Sequence, residues 1–177
     1  ILLIKIMTVL KKYKMYINGE WVDSDSKKKF ETLNPENNEP WAEVPEASKK
    51  DVDKAVQAAQ KAFEGVWPKL FPKERAKYLR KIADQLRENS ELLGKIETID
   101  TGKLFKETKT QANYIAEYYD YYAGLADKVE GTVLPIDKPN MQVITTRVPI
   151  GVVAAIIPWN SQMLLTAVKL APSTCYG

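Results

Sequence analysis

At 177 residues, with 45% apolar and 28% charged side chains, the chain has the usage of one globular domain with a sizeable core, not of a disordered segment. Its net charge of +3 is small, and Lys11-Lys12, Lys27-Lys28-Lys29 and Lys49-Lys50 lack interleaved aromatics, so no nucleic-acid partner is expected. One cysteine and no histidine rule out an intrachain disulfide, a Cys/His zinc site and a histidine base within the chain, and agree with a reducing cytoplasm.

The opening ILLIKIMTVL is apolar but too short to span a bilayer, and its lysines follow the apolar part rather than precede it as in a secretory signal. No membrane partner is expected from it. With Met7 and Met15 close behind an initial isoleucine, residues 1–14 read as a leader of doubtful origin, its first residues upstream of a fragment's true start. MYINGEWVDSDS alternates into and out of an Asn18-Gly19 turn, a strong hairpin signal, and KFETLNP reads as a further strand ending before Pro35. Ser48 and Asp51 in SKKD form a capping box, after which Val52, Ala55, Val56, Ala59 and Phe63 share one face of an amphipathic helix.

A second helix begins near Pro72 and carries Ala76, Leu79, Ala83 and Leu86 on one face. Ser90 is expected to cap a third helix through Leu93, Ile96 and Ile99, running out near Thr101-Gly102. A fourth helix is expected over about Phe105–Lys128. VITTRVPIGVVAAII (143–157) reads as two strands with a break or edge at Pro149, and a last helix follows. The fold class is therefore α/β, with a single βα unit only beginning.

AAIIPWNSQMLLTAVKLAP (154–172) carries the strongest candidate chemistry, because α/β proteins bind ligands beyond the carboxyl end of a strand. Trp159 offers a flat apolar wall. Asn160 offers two uncharged N–H donors, as an oxyanion hole requires. From local physics alone a helix cap by Asn160 or Ser161 is the favoured reading.

Several pieces together resemble the aldehyde dehydrogenase superfamily, NAD(P)-dependent: YINGEWV, LNP, VPEASKKDVDKAVQAAQKAF, ERAKYLRKIADQL, IETIDTGK, YYAGLADKVEG and RVPIGVV followed by IIPWN, all in the family's order. The resemblance runs from about Tyr16 to Ala171. It implies the N-terminal part of that fold: residues 15–131 as strands and helices of an incomplete Rossmann-like cofactor domain, 132–150 as part of an oligomerisation hairpin, and 151–177 as the start of the core. It also implies oxidation of a small-molecule aldehyde to a carboxylic acid in the cytoplasm, by a homodimer or homotetramer. A cysteine attacks to give a thiohemiacetal, hydride passes to NAD or NADP, and a glutamate-activated water cleaves the thioester.

In that scheme Asn160 donates to the oxyanion, and Ile156, Ile157, Pro158 and Trp159 border the nicotinamide. Lys169 matches a proton-relay lysine, and Ser161, Leu164 and Val168 match positions facing the aldehyde channel. Ser161-Gln162 replaces the commoner Phe-Pro, which removes one aromatic wall. Tyr114, Tyr118 and Tyr122 recur every four residues on a helix whose relatives line the channel entrance, with ordinary core packing as the competing role. Asp100 matches a carboxylate that, with carbonyls near Thr32-Leu33, holds a structural monovalent cation in some members; an exposed aspartate at a helix end is the alternative.

Cys175 reads as a small buried or frayed cysteine, since the family nucleophile comes later in sequence, as do the base and the glycine-containing cofactor turn. The 177 residues alone are therefore expected to be inactive. A non-catalytic oligomerising or binding relative of the family is the alternative function.

Overall fold

The computed structural model describes residues 10–176. Two small sheets open the chain. Strands β1 (Lys11–Lys12), β4 (Lys29–Asn34) and β5 (Glu39–Pro45) form one sheet in the order β1-β5-β4, with β1 parallel and β4 antiparallel to β5. Lys11, Lys12 and Tyr13 are thus stitched into the sheet, Tyr13 donating its N–H to the Glu43 carbonyl at 3.0 Å. Residues 1–9 of the segment read as a leader lie outside the described residues. Strands β2 (Met15–Ile17) and β3 (Glu20–Val22) form the expected hairpin, its two turn residues Asn18 and Gly19 at φ 55° and 83°.

Helix α1 (Lys49–Glu64) starts on the expected capping box: Ser48 Oγ accepts from the Asp51 N–H, and the Asp51 carboxylate accepts from the Ser48 N–H at 2.8 Å. The same carboxylate accepts from Ser24 Oγ at 2.9 Å and from the Asp25 N–H, which ties the hairpin's exit to the helix. A short 3-10 turn, Trp67–Lys69, leads into α2 (Pro72–Glu88). Proline at the first helical position sacrifices no hydrogen bond there, and Glu74 accepts from the Phe71 N–H at 2.7 Å.

Helix α3 (Ser90–Thr101) begins one residue earlier than the sequence suggests. Asn89 is the cap position and Ser90 is already helical, because Asn89 both ends α2 and opens α3. Helix α4 (Phe105–Leu125) stops one turn short of the expected Lys128. Its Thr108 hydroxyl, buried, donates to the Gly94 carbonyl of α3 at 2.9 Å. The core is helical: Ala76, Leu79 and Ala83 of α2 meet Ile115, Ala116, Tyr119 and Ala123 of α4, and Ala167, Ala171 and Cys175 of α5 (Gln162–Tyr176). So many alanines let the three helices approach closely, while Leu79 and Ile115 each contribute about 1.5–3 kcal/mol by burial.

Strands β6 (Val133–Leu134) and β7 (Val143–Ile144) pair antiparallel, so a short hairpin exists where one was expected. The second strand expected in 143–157, however, does not form. Beyond Thr145, whose N–H still donates to the Thr132 carbonyl at 2.8 Å, the chain has no ladder partners among the described residues; Ile150 is 97% exposed. An apolar run specifies a strand only when a neighbouring strand takes its N–H and C=O groups. The buried strand expected at 154–157 is accordingly an exposed, unpaired segment.

Candidate functional site

Residues 150–157, outside any helix or strand, lead to a turn at Trp159-Asn160, and α5 begins two residues later, its first turn closed by the Leu165 N–H on the Ser161 carbonyl at 2.9 Å. Ile156 is 93% exposed and Trp159 78%, and Pro158 and Asn160 beside them are exposed too. Four predicted site residues therefore form one apolar strip ending in an amide, with Ile157 half-buried behind them. Neither expected cap is realised: among the described residues the Asn160 side chain makes no hydrogen bond, and the Ser161 hydroxyl faces another partner.

That partner is Lys103, whose ammonium donates to Ser161 Oγ at 2.6 Å and is held by the Glu97 carboxylate at 3.0 Å. Glu97 is only 4% exposed. Next to it, Gln162 Nε2 donates to Asp100 Oδ2 at 2.8 Å, and Asp100 Oδ1 accepts from Thr32 Oγ1 of β4 at 2.7 Å. Asp100 thus reaches β4 through the Thr32 hydroxyl, not through the carbonyls near Thr32-Leu33 that the resemblance implies. Its charge is met by two neutral donors and by no ion-pair partner among the described residues. No group of three Asp, Glu, Cys or His side chains that could hold a metal ion occurs among the described residues.

Beneath this network lies a cavity of about 380 Å³ between the first sheet and α3, walled by Phe30, Val44, Leu93, Ile96 and Met163. Four buried polar atoms at its lining residues have no hydrogen-bond partner: Tyr13 OH, Trp41 Nε1, Glu97 Oε2 and Gln162 Oε1. Lys169 lies elsewhere. It is exposed and, with Ile157, Thr166 and Phe63, lines a second cavity of about 450 Å³ between α1, residues 151–157 and α5.

The residues assigned to an aldehyde channel separate. Tyr118 and Leu164 pack at the edge of the helical core, Val168 is half-buried, and Tyr114 is exposed. The Tyr118 hydroxyl donates to Tyr122 at 3.5 Å; this bond and partial burial push it up to about 12. Cys175 is fully buried, as the sequence suggested, and its thiol donates to the Tyr122 carbonyl at 3.0 Å. Burial pushes that thiol up, away from the reactive thiolate.

Sequence reasoning missed Glu97 and Lys103. Both lie in the quoted segment IETIDTGK, but nothing in local spacing shows that Lys103 reaches a residue 58 positions later. It does so because α3 ends at Gly102, in the left-handed conformation, and the chain turns back past Glu97.

The family model of the aldehyde dehydrogenase family matches residues 21–177. A (Z)-2-((N-methylformamido)methylene)-5-hydroxybutyrolactone dehydrogenase of Acinetobacter baylyi is 47% identical over 95% of the chain and 34% of the relative. Betaine aldehyde dehydrogenase of Staphylococcus aureus, solved as a point mutant in complex with NAD+, superposes with a TM-score of 0.86 and 38% identity, over 93% of this chain and 33% of that one. An NAD-dependent aldehyde dehydrogenase of Sinorhizobium meliloti gives a TM-score of 0.88 at 30% identity, over 95% and 34%. The chain thus spans about a third of the length of the curated relatives it matches.

Proposed function

The chain belongs to the aldehyde dehydrogenase family, and from that premise we propose that it supplies the oxyanion donor and the apolar cofactor floor of an enzyme oxidising an aldehyde to a carboxylic acid with NAD or NADP. The observation that carries the reading is the exposed Ile156-to-Trp159 strip ending in the unbonded Asn160 amide. An aldehyde carbonyl attacked by a nucleophile accumulates negative charge on its oxygen. A neutral N–H donor stabilises that charge without trapping anions in the ground state, and the free Asn160 amide supplies one.

The strip also fits the cofactor. Ile156, Pro158 and Trp159 offer apolar surface to the flat face of a nicotinamide ring, next to the donor. A bound dinucleotide would supply the hydride acceptor. The residues of this chain orient that ring, exclude water from its face and bind the substrate oxygen.

The nucleophilic thiol and the general base belong to the remaining length of the complete protein in this account, since Cys175 is buried and held as a thiol donor. Lys169, with Thr166 and Ser173 in one cavity, serves as the relay lysine. Asp100, lacking an ion-pair partner among the described residues, would hold a monovalent cation together with carbonyls near Thr32-Leu33. Ser161, Leu164 and Val168, with Tyr114 and Tyr118, border the aldehyde's approach, and the protein acts in the cytoplasm.

The exposed hairpin residues Val133 and Ile144 favour self-association, and also keep alive a non-catalytic oligomerising role. Incubating the complete protein with aldehydes and either NAD+ or NADP+ separates the two. Aldehyde-dependent growth of the reduced-nicotinamide absorbance is the expected result. A folded, oligomeric protein that forms none with any aldehyde would leave only the non-catalytic role.

A further inference from the structure

We propose that Lys103 is a positioning residue for Asn160, acting through the Ser161 hydroxyl; the proposal rests on reading Asn160 as the oxyanion donor. Asn160 lies at the junction between its turn and α5. There Ser161 is gripped by Lys103 at 2.6 Å and Gln162 by Asp100 at 2.8 Å, both from the C-terminal end of α3.

The Lys103 grip is the better anchored of the two. Its ammonium is itself oriented by Glu97, whose side chain is 3% exposed, so the Lys103 head has little freedom to turn away. Charge-assisted hydrogen bonds in partly buried surroundings are shorter and stronger than neutral ones. The bond ends on the residue adjoining Asn160, yet it satisfies no helix N–H. A side chain placed only to stabilise α5 would cap it, whereas this one fixes the turn's orientation.

Displacement of a reacting group by about 1 Å costs up to about 100-fold in rate. Ser161→Ala in the complete enzyme, which removes one oxygen and leaves the Glu97–Lys103 pair intact, is therefore expected to lower kcat about 10- to 100-fold with KM little changed. Ser161→Thr, which keeps the hydroxyl, should recover most of it. The deciding measurement is the double-mutant cycle with Asn160→Ala. If Lys103 and Ser161 act through Asn160, adding Ser161→Ala to Asn160→Ala slows the enzyme no further.

Full additivity in that cycle would overturn the proposal while leaving Asn160 as donor. So would unchanged kcat in Ser161→Ala, or a raised KM at constant kcat, which marks a channel wall instead. Wild-type turnover by Asn160→Ala alone would instead overturn the oxyanion reading, and the proposal with it. Lys103→Met and Lys103→Arg repeat the test from the donor side: arginine should retain more of kcat than methionine, and equal losses count against the proposal.

Discussion

Gly94→Ala should destabilise this chain, although alanine replacing glycine inside a helix ordinarily helps. A Cβ added at Gly94 would lie 2.8 Å from the Lys109 nitrogen and 2.9 Å from its Cα, both backbone atoms of α4. Helix α4 would have to retreat by at least about half an ångström to restore normal contact. Overpacking of this kind costs about 1–3 kcal/mol. The Thr108–Gly94 hydrogen bond, 2.9 Å long at the same crossing, would stretch and forfeit up to about 1 kcal/mol. Against this stands a helix-propensity gain of about 0.8–1.0 kcal/mol.

The net is a loss of up to about 3 kcal/mol. Gly124, also helical, has open space at its Cβ position, so Gly124→Ala should gain about 0.5–1 kcal/mol. Urea unfolding followed by circular dichroism reads both. With a slope of about 2 kcal/mol/M, Gly94→Ala should lower the midpoint by up to roughly 1.5 M and Gly124→Ala should raise it slightly. A midpoint that rises in both would refute the close helix contact.

Leu79→Ala, emptying a site that is fully buried between α2, α4 and α5, should cost about 2.7–5.0 kcal/mol in the same assay; a loss below about 1 kcal/mol would show that the core is not packed as described. Asp51 is held well below the usual carboxylate range, chiefly by the Ser48 N–H and hydroxyl. Because its folded value is depressed, its stabilisation is complete above about pH 5 and fades as pH falls below its unfolded value of about 3.9. Asp51→Asn should therefore lower the melting temperature at neutral pH, with the gap to wild type closing on acidification; a gap that widens contradicts this. The single thiol, Cys175, should resist a thiol reagent in the native chain and react at once in denaturant, whereas immediate native labelling would contradict its burial.

Elements set by neighbouring residues were legible in the sequence. Asn18-Gly19 announces its hairpin because only a few residues accept positive φ, and Ser48-to-Asp51 announces α1 because both halves of its box lie within one turn. The α2 face of Ala76, Leu79 and Ala83 is buried as its spacing suggests. Spacing names an apolar face without naming its cover: Val52 and Val56 of α1 share a face and remain exposed. The failed strand at 150–157 has the same origin, since a ladder depends on a neighbour that the run itself does not encode. Ser90 was misread because a serine fits a cap wherever a helix begins nearby, and here Asn89 occupies that position.

At the candidate site, the Pro158-Trp159-Asn160 turn was visible as a break in an apolar run, and its chemistry followed from resemblance. The grip of Lys103 on Ser161 was not visible, because it joins residues 58 apart through a helix end. The pairing of Gln162 with Asp100 spans 62 and was equally hidden.

The central claim is that the Asn160 amide stabilises charge on an aldehyde oxygen. Single-turnover formation of reduced nicotinamide by Asn160→Ala in the complete enzyme tests it most directly. The account predicts a rate lower by about 10²–10³-fold at saturating aldehyde, the scale for one oxyanion-hole donor. A variant that forms reduced nicotinamide at the wild-type rate would contradict it.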